Sequence, residues 1–328
     1  MSELRWHPIL EEWVITATHR QDRTFFPPPD YNPLAPTKPG GFPTEIPAAD
    51  YDIVVFENKF PSLQMHPPAP AIEGTDLTPV KPAVGVCEVV VYTPQADATL
   101  AELPVEKIEH LIWVWTDRFA ALGARPEVEY VFIFENKGRE IGVTLAHPHG
   151  QIYAYPFVPP KLQTEVLASR RYWNQHGKNL FLAVLEQELA DGRRIVVQND
   201  SFVATVPFFA RYPYEVHITA RGEGKTCLLD FTRAEQHDLA TILKTVLAKY
   251  DNLFGFSLPY IMCLHQCPTL GDSADHPYYQ FHIEFYPPNR TKDKMKYLAG
   301  SEAGAGAYIN DTLAEDKAAE LRALEPRG

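Results

Sequence analysis

The apolar positions alternate between short β-like runs and two long one-sided helices. Ile108, Leu111, Ile112, Trp115, Phe119 and Leu122 recur at steps of three and four, which predicts a helix ending near Gly123. Thr99-Leu-Ala-Glu102 ahead of it has the form of a capping box. Leu239, Ile242, Leu243, Val246, Leu247 and Tyr250 repeat the pattern behind a second candidate box, Thr232-Arg-Ala-Glu235. Runs rich in β-branched and aromatic residues surround each helix. DIVVFE (52–57), EVVVY (88–92), EYVFIFE (129–135) and GQIYAY (150–155) go with the first. SFVATVP (201–207), EVHIT (215–219) and the stretches 260–265 and 279–286 go with the second. WVIT adds a strand region within 5–17. The order recurs, so the chain reads as two copies of one α+β unit, each with an antiparallel sheet and a long helix. The expected division is 1–160, a mainly helical linker at 161–195, and 196–328, with a surface helix at 311–323.

Composition adds three points. The 30 prolines cluster at 27–47, 61–82 and 156–160, which predicts long ordered loops laid over strands. With 328 residues, 45% of them hydrophobic, the chain can bury a sizeable core and is not disordered. A net charge of −12 argues against nucleic acid or an anionic membrane as partner, and no apolar run is long enough to span a bilayer. MSELRWHPIL shows no signal-peptide pattern, and four cysteines are too few for a disulfide scaffold. A cytoplasmic location is therefore expected.

The chemistry concentrates in residues 135–151, which end His147-Pro-His149-Gly-Gln151. In an extended chain His147, His149 and Gln151 share one side. Gly138, Gly142 and Gly150 permit close approach of a bulky group such as phosphate. A neutral imidazole held this way is a nucleophile toward phosphorus, and nearby donors can stabilise the phosphoryl charge. A His-x-His pair on a strand is also compatible with packing or an incidental metal pair. A variant, His282-Ile-Glu284, stands on the equivalent strand of the second unit and weighs the reading toward function.

Asn136-Lys-Gly138, Gly142 and His147-Pro-His-Gly-Gln151 resemble the galactose-1-phosphate uridylyltransferase family, a branch of the histidine-triad superfamily with two such units per chain. The likeness runs nearly end to end. Arg20 and Arg23 stand at the family's substrate-contacting arginines and Asn58 at a nucleotide-contacting asparagine. Phe285-Tyr-Pro-Pro288, Lys296-Tyr297, Gly300 and Glu302 match a run near the family's C-terminus. The resemblance implies two tandem histidine-triad units and ping-pong transfer of UMP from UDP-glucose to galactose 1-phosphate. His149 carries the uridylyl group. His147 and Gln151 complete the catalytic set, Thr144 and Gln151 hold phosphoryl oxygens, and Asn136 binds the nucleotide side. Lys296 and Glu302 bind the phosphate and the hexose hydroxyls. A homodimer whose partner completes part of the site is implied as well.

The family's N-terminal zinc site uses a Cys-x-x-Cys, a middle histidine and the first histidine of the motif. Here those positions hold Asn32-Pro-Leu-Ala35, Ala96 and His147, so the resemblance implies that this zinc is lost and that the loop 26–50 is held by packing. The second metal site maps onto Glu165, His265, His282 and Glu284, with glutamate for one histidine. This set suits one divalent metal, zinc ahead of iron, or else forms a hydrogen-bonded cluster. Cys263, beside His265, reads as a core residue. Gly300–Gly306 and Tyr308 depart from the family pattern and leave two alternatives: an ADP-glucose:phosphate adenylyltransferase of the same branch, or a non-catalytic nucleotide-binding protein.

Overall fold

Two strands open the chain, β1 (Ser2–His7) and β2 (Glu12–Ala17), which form a hairpin where one strand region was expected. Pro8 and the positive φ of Glu11 make the turn. The computed structural model describes residues 2–22, 27–28, 31–271 and 276–325. β3 (Val54–Glu57), β4 (Val80–Pro82) and β5 (Val86–Val91) follow, then α1 (Val105–Gly123), β6 (Tyr130–Lys137) and β7 (His149–Tyr155). The linker is two helices, α2 (Pro160–His176) and α3 (Leu180–Asp191). Gly177, at φ +63°, ends the first, and the Asn179 side chain accepts from the amides of Phe181 and Leu182 to start the second. The second unit holds β8 (Ile195–Gln198), β9 (Phe202–Thr205), β10 (Val216–Ala220), α4 (Arg233–Leu253), β11 (Tyr260–His265) and β12 (His282–Tyr286). α5 (Ala314–Arg322) comes last.

The expected sheet of each unit is half of a larger one. Nine strands pair antiparallel in the order β3-β5-β7-β6-β11-β12-β10-β9-β8. β6 and β11 form the seam, with Glu135 opposite Met262 and Phe134 opposite Cys263. Outward from it, β7, β5 and β3 on one side mirror β12, β10 and β9 on the other, as a duplicated unit requires. Side chains alternate between the two faces. Val131, Ile133, Ile152, Ala154, Ile218, Ile283 and Phe285 join one buried core with the apolar stripes of α1 and α4. His149, Gln151, His282 and Glu284 point the other way, so both candidate sites share the opposite face.

Two local expectations change. α1 begins at Val105 rather than at Thr99, because Pro104 disfavours the helical region for Leu103 but is tolerated at the helix start. Glu102 still accepts from the Thr99 amide at 2.8 Å, closing a separate turn. Thr232 and Glu235 do form the reciprocal box that starts α4. α5 is docked rather than superficial: Ala314, Ala318 and Leu321 are buried, and Lys249 on α4 donates to the Leu321 carbonyl at 3.2 Å. Leu34 and Ile46 of the proline-rich loop pack on Val89 and Val91, and Thr37 and Thr44 hydrogen-bond at 3.0 Å to close it. Among the described residues no helix is long and apolar enough to cross a membrane.

Candidate active site

His149 opens β7, and its Nδ1 lies 2.7 Å from the His147 carbonyl oxygen. A carbonyl only accepts, so Nδ1 carries the proton and the ring's lone pair is on Nε2. Gln151 follows on the same face. Its Oε1 lies 3.4 Å from both Asn58 Nδ2 and the Tyr153 hydroxyl, which fixes the amide so that its NH2 is the end left to donate. Asn58 is held in turn: its Oδ1 accepts from the Phe60 amide at 2.9 Å. Arg20 donates to the Phe60 carbonyl at 2.9 Å and steadies the same loop. Arg23 lies outside the described residues.

Two cavities meet at His149 and share Thr144 and Leu145. One, of about 220 Å³, has Pro28, Leu34, Phe60 and Val89 beside Asn58, Lys59 and Gln151. The other, of about 410 Å³, includes Glu135, Asn136, Lys137, Arg139 and Ser257 among apolar residues such as Leu100 and Val143. Both combine apolar walls with a few polar groups, as a site for a small polar ligand does.

His147 is 2% exposed, and both of its ring nitrogens are used within the protein. Nε2 donates to the Thr93 carbonyl at 2.7 Å with the Tyr51 hydroxyl 3.2 Å away, and Nδ1 accepts from Asn32 Nδ2 at 2.9 Å. Burial holds the imidazole below the usual histidine range, so it is neutral at pH 7. What His147 offers His149 is its carbonyl. Asn32 and Tyr51 thus hold the His147 ring by hydrogen bonds.

Lys296, Tyr297, Gly300 and Glu302 lie elsewhere, in the second unit. Lys296 is 5% exposed, donates to Glu302 Oε1 at 3.1 Å and to the Ile309 carbonyl, and sits 6.0 Å above the Tyr212 ring. Tyr297 is 74% exposed. Among the described residues, neither cavity at His149 is lined by any of these four.

On the second half of the face, Glu165 of α2 meets His265, His282 and Glu284, with ligand atoms within 4.8 Å of one another. His282 repeats the device of His149, its Nδ1 lying 2.9 Å from the Gln280 carbonyl. His265 faces a carboxylate at each nitrogen, Glu165 at 3.0 Å and Glu284 at 3.3 Å. The Tyr279 hydroxyl donates to Glu165 at 2.9 Å. Lys161 pairs with Glu284, and His217 lies 3.4 Å and Arg211 3.7 Å from it. Burial raises the Glu284 carboxyl, but His265, His217, His282 and Lys161 outweigh it and hold it well below the usual range. Burial lowers His282, but its carboxylate neighbours outweigh it and the pKa rises. Two imidazoles and two carboxylates at this spacing fit a divalent metal. Cys263 is buried, as expected of a core residue.

Tyr153, Tyr51, Lys161, Arg211 and Glu135 escaped the sequence reading. Tyr153 carried a signal, since it lies two residues beyond Gln151 on the same strand face.

Comparison with known proteins agrees with this geometry. Residues 1–159 match the model of the galactose-1-phosphate uridyl transferase N-terminal domain, and residues 165–327 that of the C-terminal domain. A galactose-1-phosphate uridylyltransferase from Thermotoga maritima is 41% identical over 99% of both chains. A solved uridylyltransferase superposes with a TM-score of 0.86 at 34% identity, covering 98% of this chain and 97% of its own. An ADP-glucose phosphorylase from Arabidopsis thaliana, solved with ADP-glucose, shares the fold at 22% identity and a TM-score of 0.72, covering 99% of this chain and 100% of its own.

Proposed function

The chain belongs to the galactose-1-phosphate uridyl transferase family, and we propose that it moves UMP from UDP-glucose to galactose 1-phosphate with His149 as the covalent carrier. The observation that carries this reading is the 2.7 Å contact of His149 Nδ1 with the His147 carbonyl, which puts the lone pair on Nε2 of a residue that lines both cavities. Nε2 attacks the α-phosphorus of UDP-glucose. The P–O bond to the β-phosphate breaks, and glucose 1-phosphate leaves with that bond's electron pair. A phosphate oxygen of galactose 1-phosphate then attacks the uridylyl-histidine, forms UDP-galactose and returns the pair to Nε2. The Gln151 amide and the Thr144 hydroxyl donate to the phosphoryl oxygens that gain charge. Asn58 and the cavity that it lines take the uridine, and Asn136 serves the nucleotide from the second cavity. Arg20 and Arg23 complete the substrate contacts.

Lys296, Tyr297, Gly300 and Glu302 serve the hexose phosphate of a neighbouring subunit in a homodimer. Their absence from the described lining of both His149 cavities and the exposure of Tyr297 support that assignment. Glu165, His265, His282 and Glu284 hold one divalent metal, zinc ahead of iron, which ties α2 to the second unit and takes no part in transfer. The working division remains 1–160, 161–195 and 196–328. The four free cysteines fit a cytoplasmic enzyme.

The test is intact mass after incubation with UDP-glucose, under denaturation without acid. One UMP should be gained, be discharged by galactose 1-phosphate, and be absent from His149→Ala. An AMP adduct from ADP-glucose instead would move the enzyme to adenylyl transfer. No adduct from either donor would leave a nucleotide-binding protein.

A further inference from the structure

Behind the His149 strand lies a buried carboxylate that the transfer chemistry does not use. Glu135 continues the Val131–Ile133 face of β6, is 4% exposed, and sits opposite Met262 at the seam. Each of its oxygens accepts from a buried tyrosine: Tyr92, just beyond β5, at 3.2 Å, and Tyr260, at the start of β11, at 3.0 Å. Tyr92 runs beneath the histidine turn. Its amide donates to the Pro148 carbonyl at 3.1 Å. Its hydroxyl lies so near Gly150 that a Cβ there would come within 2.2 Å of it. Glu135, Tyr92 and the Pro148–Gly150 backbone form one contiguous stack.

We infer that Glu135 is a positioning residue for His149: its carboxylate holds Tyr92 and Tyr260 so that the Pro148–Gly150 turn, and with it the imidazole, keeps one orientation. A carboxylate accepts two O–H bonds at once. A carboxylic acid or an amide must donate from one side, so one tyrosine has to turn its hydroxyl away. Burial raises the Glu135 carboxyl to about 7, against the opposing pull of Lys137 and the two tyrosine hydroxyls. The charged and titratable groups facing it are Tyr92 from β5, Tyr260 from β11 and Lys137 on its own strand. Lys137 is paired with Asp251 of α4 at 3.1 Å. His149 opens onto the same cavity.

The inference rests on the uridylyl-transfer reading, and its test is built to fail separately. In Glu135→Gln the single-turnover rate of adduct formation falls by about tenfold to a hundredfold, as a misplaced nucleophile would cause. KM for UDP-glucose changes by less than about twofold, and the acid limb of kcat near neutral pH disappears. Tyr92→Phe falls in the same direction, and the double variant is no slower than the slower single. An unchanged rate and pH profile in a folded Glu135→Gln would overturn the inference. If that variant does not fold, Tyr92→Phe at the wild-type rate overturns it equally. Imidazole 15N shifts, assigned by difference from His149→Ala, give a readout free of substrate. The wild type shows the Nδ1–H tautomer of His149, and Glu135→Gln shows a mixture. Identical shifts would sink the positioning role even if UDP-glucose proved the wrong donor.

Discussion

His149 and His282 open mirrored strands and are held alike, each with Nδ1 on the carbonyl two residues back, at 2.7 and 2.9 Å. In His149 this puts the lone pair on Nε2, whereas the Nε2 of His282 faces Glu284 at 3.7 Å. The first ring opens onto cavities that hold an amide, a hydroxyl and the cations Lys59, Lys137 and Arg139. The second lines a cavity of about 240 Å³ beside α2 and α3 and faces Glu165 and Glu284. One backbone device serves two chemistries, and the surroundings decide which. Amide, hydroxyl and cationic donors favour negative charge developing on phosphoryl oxygens, whereas facing carboxylates favour a cation.

The sharpest way to break this comparison is to cross the two histidines. His149→Ala should lower turnover by roughly four orders of magnitude or more while melting close to the wild type. His282→Ala should do the reverse, melting several degrees lower while still forming the adduct. Equal effects on chemistry would mean that the two rings share one role. Glu165→Ala sharpens the metal half: it strips a partner from buried His265 and should cost about 3 kcal/mol. Metal content by elemental analysis should fall with it, and adduct per folded molecule should not. Gly150→Ala drives a methyl group into the Tyr92 hydroxyl and should cost about 1–3 kcal/mol together with a loss of rate. Asn32→Ala leaves His147 Nδ1 buried without its donor and should cost about 1 kcal/mol in a urea melt.

The last expected effect is on pH. The folded-state carboxyl of Glu135 stands at about 7, above its ordinary value of 4.5. Its stabilising contribution is present below the lower value and is lost as pH rises through the upper one. The stability of wild type relative to Glu135→Gln should therefore fall between about pH 5 and pH 8. A constant difference in denaturant midpoint across that range would show that Glu135 does not titrate there.

Much of this was legible in the residues. The repeat showed because helical and strand periodicities recur in the same order, and the His147–Gln151 face showed because alternation places side chains without knowledge of neighbours. Pairing across the seam did not show: periodicity says which way Phe134 and Cys263 point, and nothing about their lying opposite each other. The partners of Glu284 were hidden for the same reason, since Lys161, Arg211 and His217 come from three separate segments. Glu135 was visible in principle, as a lone carboxylate on the face that Val131 and Ile133 bury. Pro104 was the local signal against starting α1 at Thr99.

The continuous sheet also bears on how the chain is made. β6 emerges from the ribosome with one edge satisfied by β7, and its other edge waits for β11, whose last residue is His265. At ordinary elongation rates that wait is on the order of ten seconds. Throughout it the nascent first unit carries an open strand edge able to pair with another copy of itself. A transcript cut short between the two units would leave that edge open for good, so truncated products should precipitate rather than persist as half-enzymes.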